Sequence, residues 1–280
     1  MAHFDYPTPF FLEQGSERLF ALFYEPVGFR ASAAILLAPP FGDEMNKSRR
    51  MITLQAQAFQ QQGYAVLVVD LVGTGDSSGE FGEATWERWR NNLHAAWQWL
   101  VQEQGLSCIH LWGIRLGALL ALDTASHFNL SVASFLFWQP VSNGERFVTQ
   151  LLRLRQAEQF GQKTQETVKE LRAQSDAGSP LEIGGYAVNA PLIQAISSLR
   201  VADFVPIQGP VVWLECSTAE PAELLPASHK LIEDWHAAGG TIQSAAVTGP
   251  AFWNSVEIEE VPELIEQTVV LFVGANHGPA

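Results

Sequence analysis

Cysteine, positive charge and long apolar runs are all scarce in this 280-residue chain. Its two cysteines, Cys108 and Cys216, both fall in apolar runs that read as strands. That placement points to buried thiols and against a disulfide framework. Sixteen Lys and Arg stand against 30 Asp and Glu, for a net charge of -14. An acidic surface repels phosphate backbones and anionic lipid headgroups, so the charge argues against nucleic-acid and membrane-surface partners. No apolar stretch reaches the ~18–20 residues needed to cross a bilayer. The opening residues, MAHFDYPTPF, lack the basic-then-apolar order of a secretory leader. A cytoplasmic location is the expectation. Metal-binding spacings are scarce too: there is no H-x-x-x-H or C-x-x-C, and no G-x-G-x-x-G after a strand. No metal and no cofactor is expected.

What is present is a regular alternation of strand and helix patterns, which marks an α/β chain. Phe10–Glu13 and Arg18–Tyr24 read as a strand pair around Gly15-Ser16. Ala33–Ala38, Tyr64–Asp70, Ser107–Trp112, Val132–Trp138, Pro210–Glu215 and Thr241–Val247 read as further strands. The run YAVLVVD (64–70) has almost no polar residue, as expected of a central parallel strand covered on both faces. Helical patterns occupy Lys47–Gln62, Thr85–Gln104, Leu116–His127, Ala222–Ala238 and Val261–Val273. The rhythm breaks at residues 143–205, which are polar and mostly helical and suit a cap inserted over the sheet's carboxyl edge. The expected layout is one domain over residues 1–280, with a mostly parallel, doubly wound sheet.

Ligands of open α/β sheets bind at the carboxyl ends of the strands. After Ser107–Trp112 comes Gly113-Ile114-Arg115-Leu116-Gly117. This is the glycine frame of a nucleophile elbow, G-x-S-x-G, in its strand–turn–helix setting. Its centre is arginine, which stays protonated and has no nucleophilic atom. A second match, Gly75-Asp76-Ser77-Ser78-Gly79, lies in a glycine-rich loop with no helix directly after it, so Ser77 is not read as a nucleophile.

The base position after the last strand reads TGPAFWNSVEIEE, with Phe252 and Trp253 and no histidine. His277 follows only in the tail. His94, His127, His229 and His236 fall in helix patterns and His110 in a strand, all more simply packed or surface residues. The acid position offers Cys216, Ser217, Thr218 and Glu220, none convincing. No catalytic residue is therefore assigned, and the Ser-His-Asp triad is read as lost.

The loop from Pro39 to Arg50 should carry half of an oxyanion hole, with Gly42 presenting an amide. Asp43 and Glu44 there suit a helix start. A cation such as Arg115 at a helix amino end faces the positive pole of that helix, a penalty of roughly 0.3–1 kcal/mol before any cost of burial. Arg115 therefore needs a carboxylate or a bound anion. Glu44, Asp43, Asp76 and Glu257 come from loops at the same edge, and Glu44 is the favoured partner. Arg115, Glu44, Phe41, Gly42, Asp76, Trp253 and Glu257 make up the expected binding site, with Glu44 also the candidate general base.

The stretches PPFGDEMNKSRRM, DLVGTGDSSGEFGEATW, LWGIRLGALLA, FWQPVSNGERFVTQLLRLR and PAFWNSVEIEEVP resemble the exosortase A system-associated hydrolases, type 2. The resemblance runs over nearly the whole chain. It implies an α/β-hydrolase fold and a bacterial setting of exopolysaccharide synthesis and protein sorting, without supplying a reaction. Three functions fit the residues. One is a hydrolase or transferase acting on an anionic acyl, phosphoryl or sugar-linked substrate, with a carboxylate activating water. Another is a non-catalytic protein that binds an anionic small molecule or a protein partner of that machinery. In the last, Arg115 simply locks the old site shut. The non-catalytic readings are favoured.

Overall fold

The computed structural model describes residues 6–26, 28, 30–159, 166–204 and 209–274. In chain order its elements are β1 (Thr8–Gln14), β2 (Glu17–Tyr24), β3 (Ala33–Ala38), α1 (Asp43–Gln61), β4 (Tyr64–Val69), α2 (Trp86–Gln102), β5 (Cys108–Ile114), α3 (Gly117–His127) and β6 (Phe135–Trp138). Then follow α4 (Gly144–Glu158), α5 (Val168–Asp176), β7 (Leu181–Ile183), β8 (Tyr186–Val188) and α6 (Ala190–Ser198). The sequence of elements closes with β9 (Val211–Ser217), α7 (Pro226–Ala237), β10 (Ile242–Thr248) and α8 (Pro262–Thr268), which runs on into a π-helical turn, Val269–Val273.

Eight strands form one sheet in the order β1-β2-β4-β3-β5-β6-β9-β10. β1, β2 and β4 pair antiparallel in sequence along the sheet, and every other pairing is parallel. The chemistry of the strands follows from their cover. β4 is buried along its whole length, with core on both faces. On one face α1 contributes Met51, Ile52, Ala56 and Phe59, and the carboxyl-terminal segment adds Leu264 and Phe272. The other face carries α2, α3 and the inserted helices. Each fully buried Leu, Ile or Phe adds roughly 1.5–3 kcal/mol. Trp112 and Trp138 meet edge to face across β5 and β6, with centroids 4.8 Å apart, and stiffen the sheet's centre.

Several expectations need correction. Cys108 is exposed and Cys216 only half-buried, so neither is a fully buried thiol. Cys108 is the first residue of β5, at the amino edge where cover ends. β6 has only four residues, because Val132, Ala133 and Ser134 lie outside the strand. The helix expected from Ala222 starts at Pro226, a residue that can open a helix but not continue one. Between β6 and β9 the chain is not purely helical, since β7 and β8 form a two-stranded hairpin. Gly184 and Gly185, both at positive φ, make its turn. Asn189 Nδ2 ties this segment down by donating to the carbonyls of Gly82 and Ala84 at 2.9 and 2.6 Å. Among the described residues no helix is long and apolar enough to cross a membrane.

Candidate functional site

The site grows from the exit of β5. Arg115 is the residue after the strand, at φ +54°, a left-handed conformation uncommon outside glycine. The glycines on either side are there for space. A Cβ on Gly117 would lie 2.0 Å from the Ala38 carbonyl oxygen, and one on Gly113 would lie 2.5 Å from Ala118 Cα. The bend is fixed by backbone bonds. Arg115 N–H donates to the Trp138 carbonyl at 3.0 Å, and the Arg115 carbonyl accepts from Ala118 and Val141 at 3.2 and 3.1 Å. An arginine thus stands at the tip of an intact elbow.

Its side chain is largely enclosed, 15% exposed, and its donors are directed into the protein. Nε and Nη2 each lie 3.1 Å from Glu44 Oε1. Nη1 donates to the Gln139 carbonyl at 3.3 Å. The guanidinium carbon sits 5.2 Å from the ring centre of Trp253, a cation–π contact. Glu44 lies in the first turn of α1, where negative charge is favoured, while Arg115 precedes α3, where positive charge is not. Pairing joins the two and offsets the second. Burial pushes the Glu44 carboxyl above its ordinary value, against the opposing pull of Arg115. Glu44 Oε2 is buried and has no hydrogen-bond partner among the described residues.

Phe41 and Gly42 lie beside this pair at the start of α1. Phe41 is boxed by the rings of Phe81, Trp89 and Phe147, and Gly42 adopts φ +56° beneath the ring of Tyr186. The cavity they share with Leu116 and Gly117 holds only about 10 Å³, near the lower limit for one water molecule. A larger cleft of about 610 Å³ opens next to it, between Met45 and Asn46 of α1, the loop at Gly73–Gly82, and Tyr186 of the hairpin. There Asn46 Nδ2 donates to the Tyr186 hydroxyl at 2.9 Å.

The other expected residues are elsewhere. Asp43 pairs with Lys47 at 3.0 Å. Asp76 is exposed and its amide donates to Asp70 Oδ2. Glu257 is exposed. Among the described residues neither Asp76 nor Glu257 contacts Arg115. Gln139 was not singled out in the sequence. Its carbonyl reaches Arg115 because the residue turns to φ +42°, while its side chain accepts from the Cys216 amide at 2.9 Å. Ser77 Oγ donates to the Asp70 carbonyl and accepts from the Phe20 amide.

No histidine follows β10 among the described residues, and His277 lies outside them. His110 is buried, and burial brings its imidazole down to about 4, so it is neutral at pH 7. His94 stacks on Phe128 at 3.8 Å, and His127 packs edge-on against the same ring. His229 and His236 are exposed on α7. Near the acid position, Cys216 is pushed up to about 12 by burial and by neighbouring carboxylates. Ser217 Oγ accepts from the Ala219 amide, and Thr218 and Glu220 are exposed. The buried acid of this region is Glu215, whose carboxylate accepts from Trp213 Nε1, the Leu225 amide and Ser228 Oγ.

Strand order, parallel crossovers and the strand–turn–helix bend define an α/β-hydrolase fold. The chain belongs to the family described as serine aminopeptidase, S33, whose model matches residues 30–178. Solved structures agree on the fold. Est1E from Butyrivibrio proteoclasticus, with ferulic acid bound, superposes with a TM-score of 0.67 at 16% identity, over 95% of this chain and 99% of that one. A thermostable carboxyl esterase from Bacillus coagulans gives 0.63 at 15% identity, over 96% and 98%. Proline iminopeptidase from Mycobacterium smegmatis gives 0.61 at 14% identity, over 95% and 97%. At such identities the likeness is one of fold alone. No curated protein matches the chain.

Proposed function

We propose that this chain is a non-catalytic member of its family, with Arg115 holding the former nucleophile position closed. One observation carries the reading: the guanidinium at the elbow has Glu44 and the Gln139 carbonyl as partners and Trp253 across its face. An elbow in that state offers neither a hydroxyl to acylate nor room for an acyl group. The neighbouring 610 Å³ cleft is then the place for a small ligand. An anionic ligand at Arg115 itself has to displace Glu44. The resemblance to exosortase A system-associated hydrolases supports a cytoplasmic role beside exopolysaccharide synthesis and protein sorting, with a ligand or protein partner from that machinery.

A fluorophosphonate probe for activated serine tests the main point. The purified protein stays unlabelled on this reading, and stoichiometric labelling of any serine rules it out. Phosphate and carboxylate ligands test the anion site, because a thermal shift that survives Arg115→Ala places the anion elsewhere.

One observation favours a second reading. Glu44 has a raised carboxyl and a buried oxygen without a partner, features of a general base. In that case Glu44 activates water on an anionic acyl or sugar-linked substrate, and Glu44→Gln abolishes any hydrolysis measured.

A further inference from the structure

The lining of the large cleft limits what it can hold. Its volume of about 610 Å³ falls in the range of small-ligand sites. Among the described residues that lining has one carboxylate, Glu80, and no lysine or arginine. Arg49, behind Gly75, is held by Asp70 at 3.3 Å. A phosphate or carboxylate entering here meets negative charge without a counter-ion, on a chain whose net charge is already -14. A quaternary ammonium is poorly served as well. Phe81 is buried and Tyr186 supplies one half-buried ring, which is not a cage.

The ring of Tyr186 is fixed before any ligand arrives. Asn46 Nδ2 donates to its hydroxyl at 2.9 Å, and Phe81 packs against the ring with centroids 4.8 Å apart. That bond leaves Asn46 one N–H and its carbonyl oxygen, a donor and an acceptor side by side. Glu80 adds two acceptor oxygens. Glycine keeps the wall between them bare. At Gly73 packing demands it, since a Cβ would lie 2.6 Å from the Glu80 carbonyl oxygen. At Gly82 packing does not, since a Cβ there would come no closer than 3.5 Å, to Ala187. The missing side chain at Gly82 leaves open space in the cleft instead.

We propose that this cleft binds a neutral saccharide, with one pyranose ring stacked on Tyr186 and its hydroxyls held by Asn46 and Glu80. The proposal rests on the reading of the cleft as a small-ligand site and names the ligand's class. A pyranose presents an apolar face of C–H groups, which suits an aromatic ring, and a rim of neighbouring hydroxyls. Each hydroxyl both donates and accepts, so a planar amide can serve two of them at once and a carboxylate can accept from two. An uncharged ligand also pays nothing to approach an acidic surface.

Titration calorimetry with cellobiose, maltose and lactose tests the proposal, with inorganic phosphate and choline as charged rivals. At least one disaccharide binds the wild-type protein, and neither charged probe binds as tightly. Tyr186→Ala weakens that binding about tenfold, and Tyr186→Phe, which keeps the ring, weakens it less. Asn46→Ala weakens it about fivefold. Gly82→Leu, at a position with room for a side chain, blocks it. The proposal is overturned if none of the three disaccharides binds, or if phosphate or choline binds more tightly than all of them. Unchanged affinity in a folded Tyr186→Ala overturns it equally, and if that variant does not fold, unchanged affinity in Gly82→Leu does so. A charged probe that binds and is blocked by Gly82→Leu keeps the cleft as a ligand site while refuting the saccharide. Silence from all five probes removes the ligand reading of the cleft too. The closed elbow is judged separately, by fluorophosphonate labelling.

Discussion

Two loops at the carboxyl edge of the sheet share a pair of glycines four residues apart and differ in what stands between and behind them. At Gly113–Gly117 the glycines are demanded by packing, since a Cβ on either would collide with backbone. The centre there is Arg115, which has no nucleophilic atom. At Gly75–Gly79 the centre is a serine, but its hydroxyl is tied to the Asp70 carbonyl and the Phe20 amide and pins the loop to β2. A search for G-x-S-x-G finds only the second loop, and the two share no more than their glycines. Only the first is an elbow, and only the second has the hydroxyl. The elbow's architecture is therefore separable from its chemistry, because steric demands on the two glycines outlast any demand on the residue between them.

The sharpest break of this comparison is Gly117→Ala. The added methyl runs into the Ala38 carbonyl, and a loss of about 3 kcal/mol is expected in urea denaturation. A loss below half of that would show that the frame tolerates a side chain. Glu44→Ala comes next. It strands the Arg115 guanidinium at a site that solvent reaches only in part, at a cost of about 2–3 kcal/mol. A double-mutant cycle with Arg115→Ala isolates the pair, and near-zero coupling would remove the lock. Ser77→Ala costs about 1–2 kcal/mol through its two lost hydrogen bonds. It should change nothing in reactivity toward serine probes.

Glu44→Gln gives a smaller effect with a definite sign. The folded state raises this carboxyl, so it holds the proton more tightly than the unfolded chain does. The stabilising contribution is complete below the ordinary carboxylate range and fades as pH rises through the folded value. Wild-type stability relative to Glu44→Gln should therefore fall with rising pH, and an increase would reverse the assignment of burial as the dominant cause. Least visible of all is Arg115→Ser. It restores the five-residue pattern at the elbow, yet no histidine follows β10 among the described residues, and no labelling by the fluorophosphonate probe is expected.

The fold was readable wherever burial leaves a run or a period. The all-apolar Tyr64–Val69 stretch and the alternation of strands with helices suffice for an α/β sheet, and the glycines 113 and 117 locate its sharpest bend. Charge arithmetic at Arg115 narrows its neighbours to four carboxylates, and side-chain packing then decides among them. Gln139 left no mark in the sequence, because its contribution is a carbonyl turned by an unusual φ. The β7–β8 hairpin was also hidden, since strands of three residues are too short to show a period. Exposure of Cys108 depends on where the covering helices stop, which no pattern in β5 records.

The amide of Asn189 bears on the shape of the large cleft. By clasping the carbonyls of Gly82 and Ala84, one side chain rivets the roof at Tyr186 to the floor beneath. On the proposed reading that this cleft holds a small ligand, Asn189→Ala should loosen the fit and let bulkier molecules in.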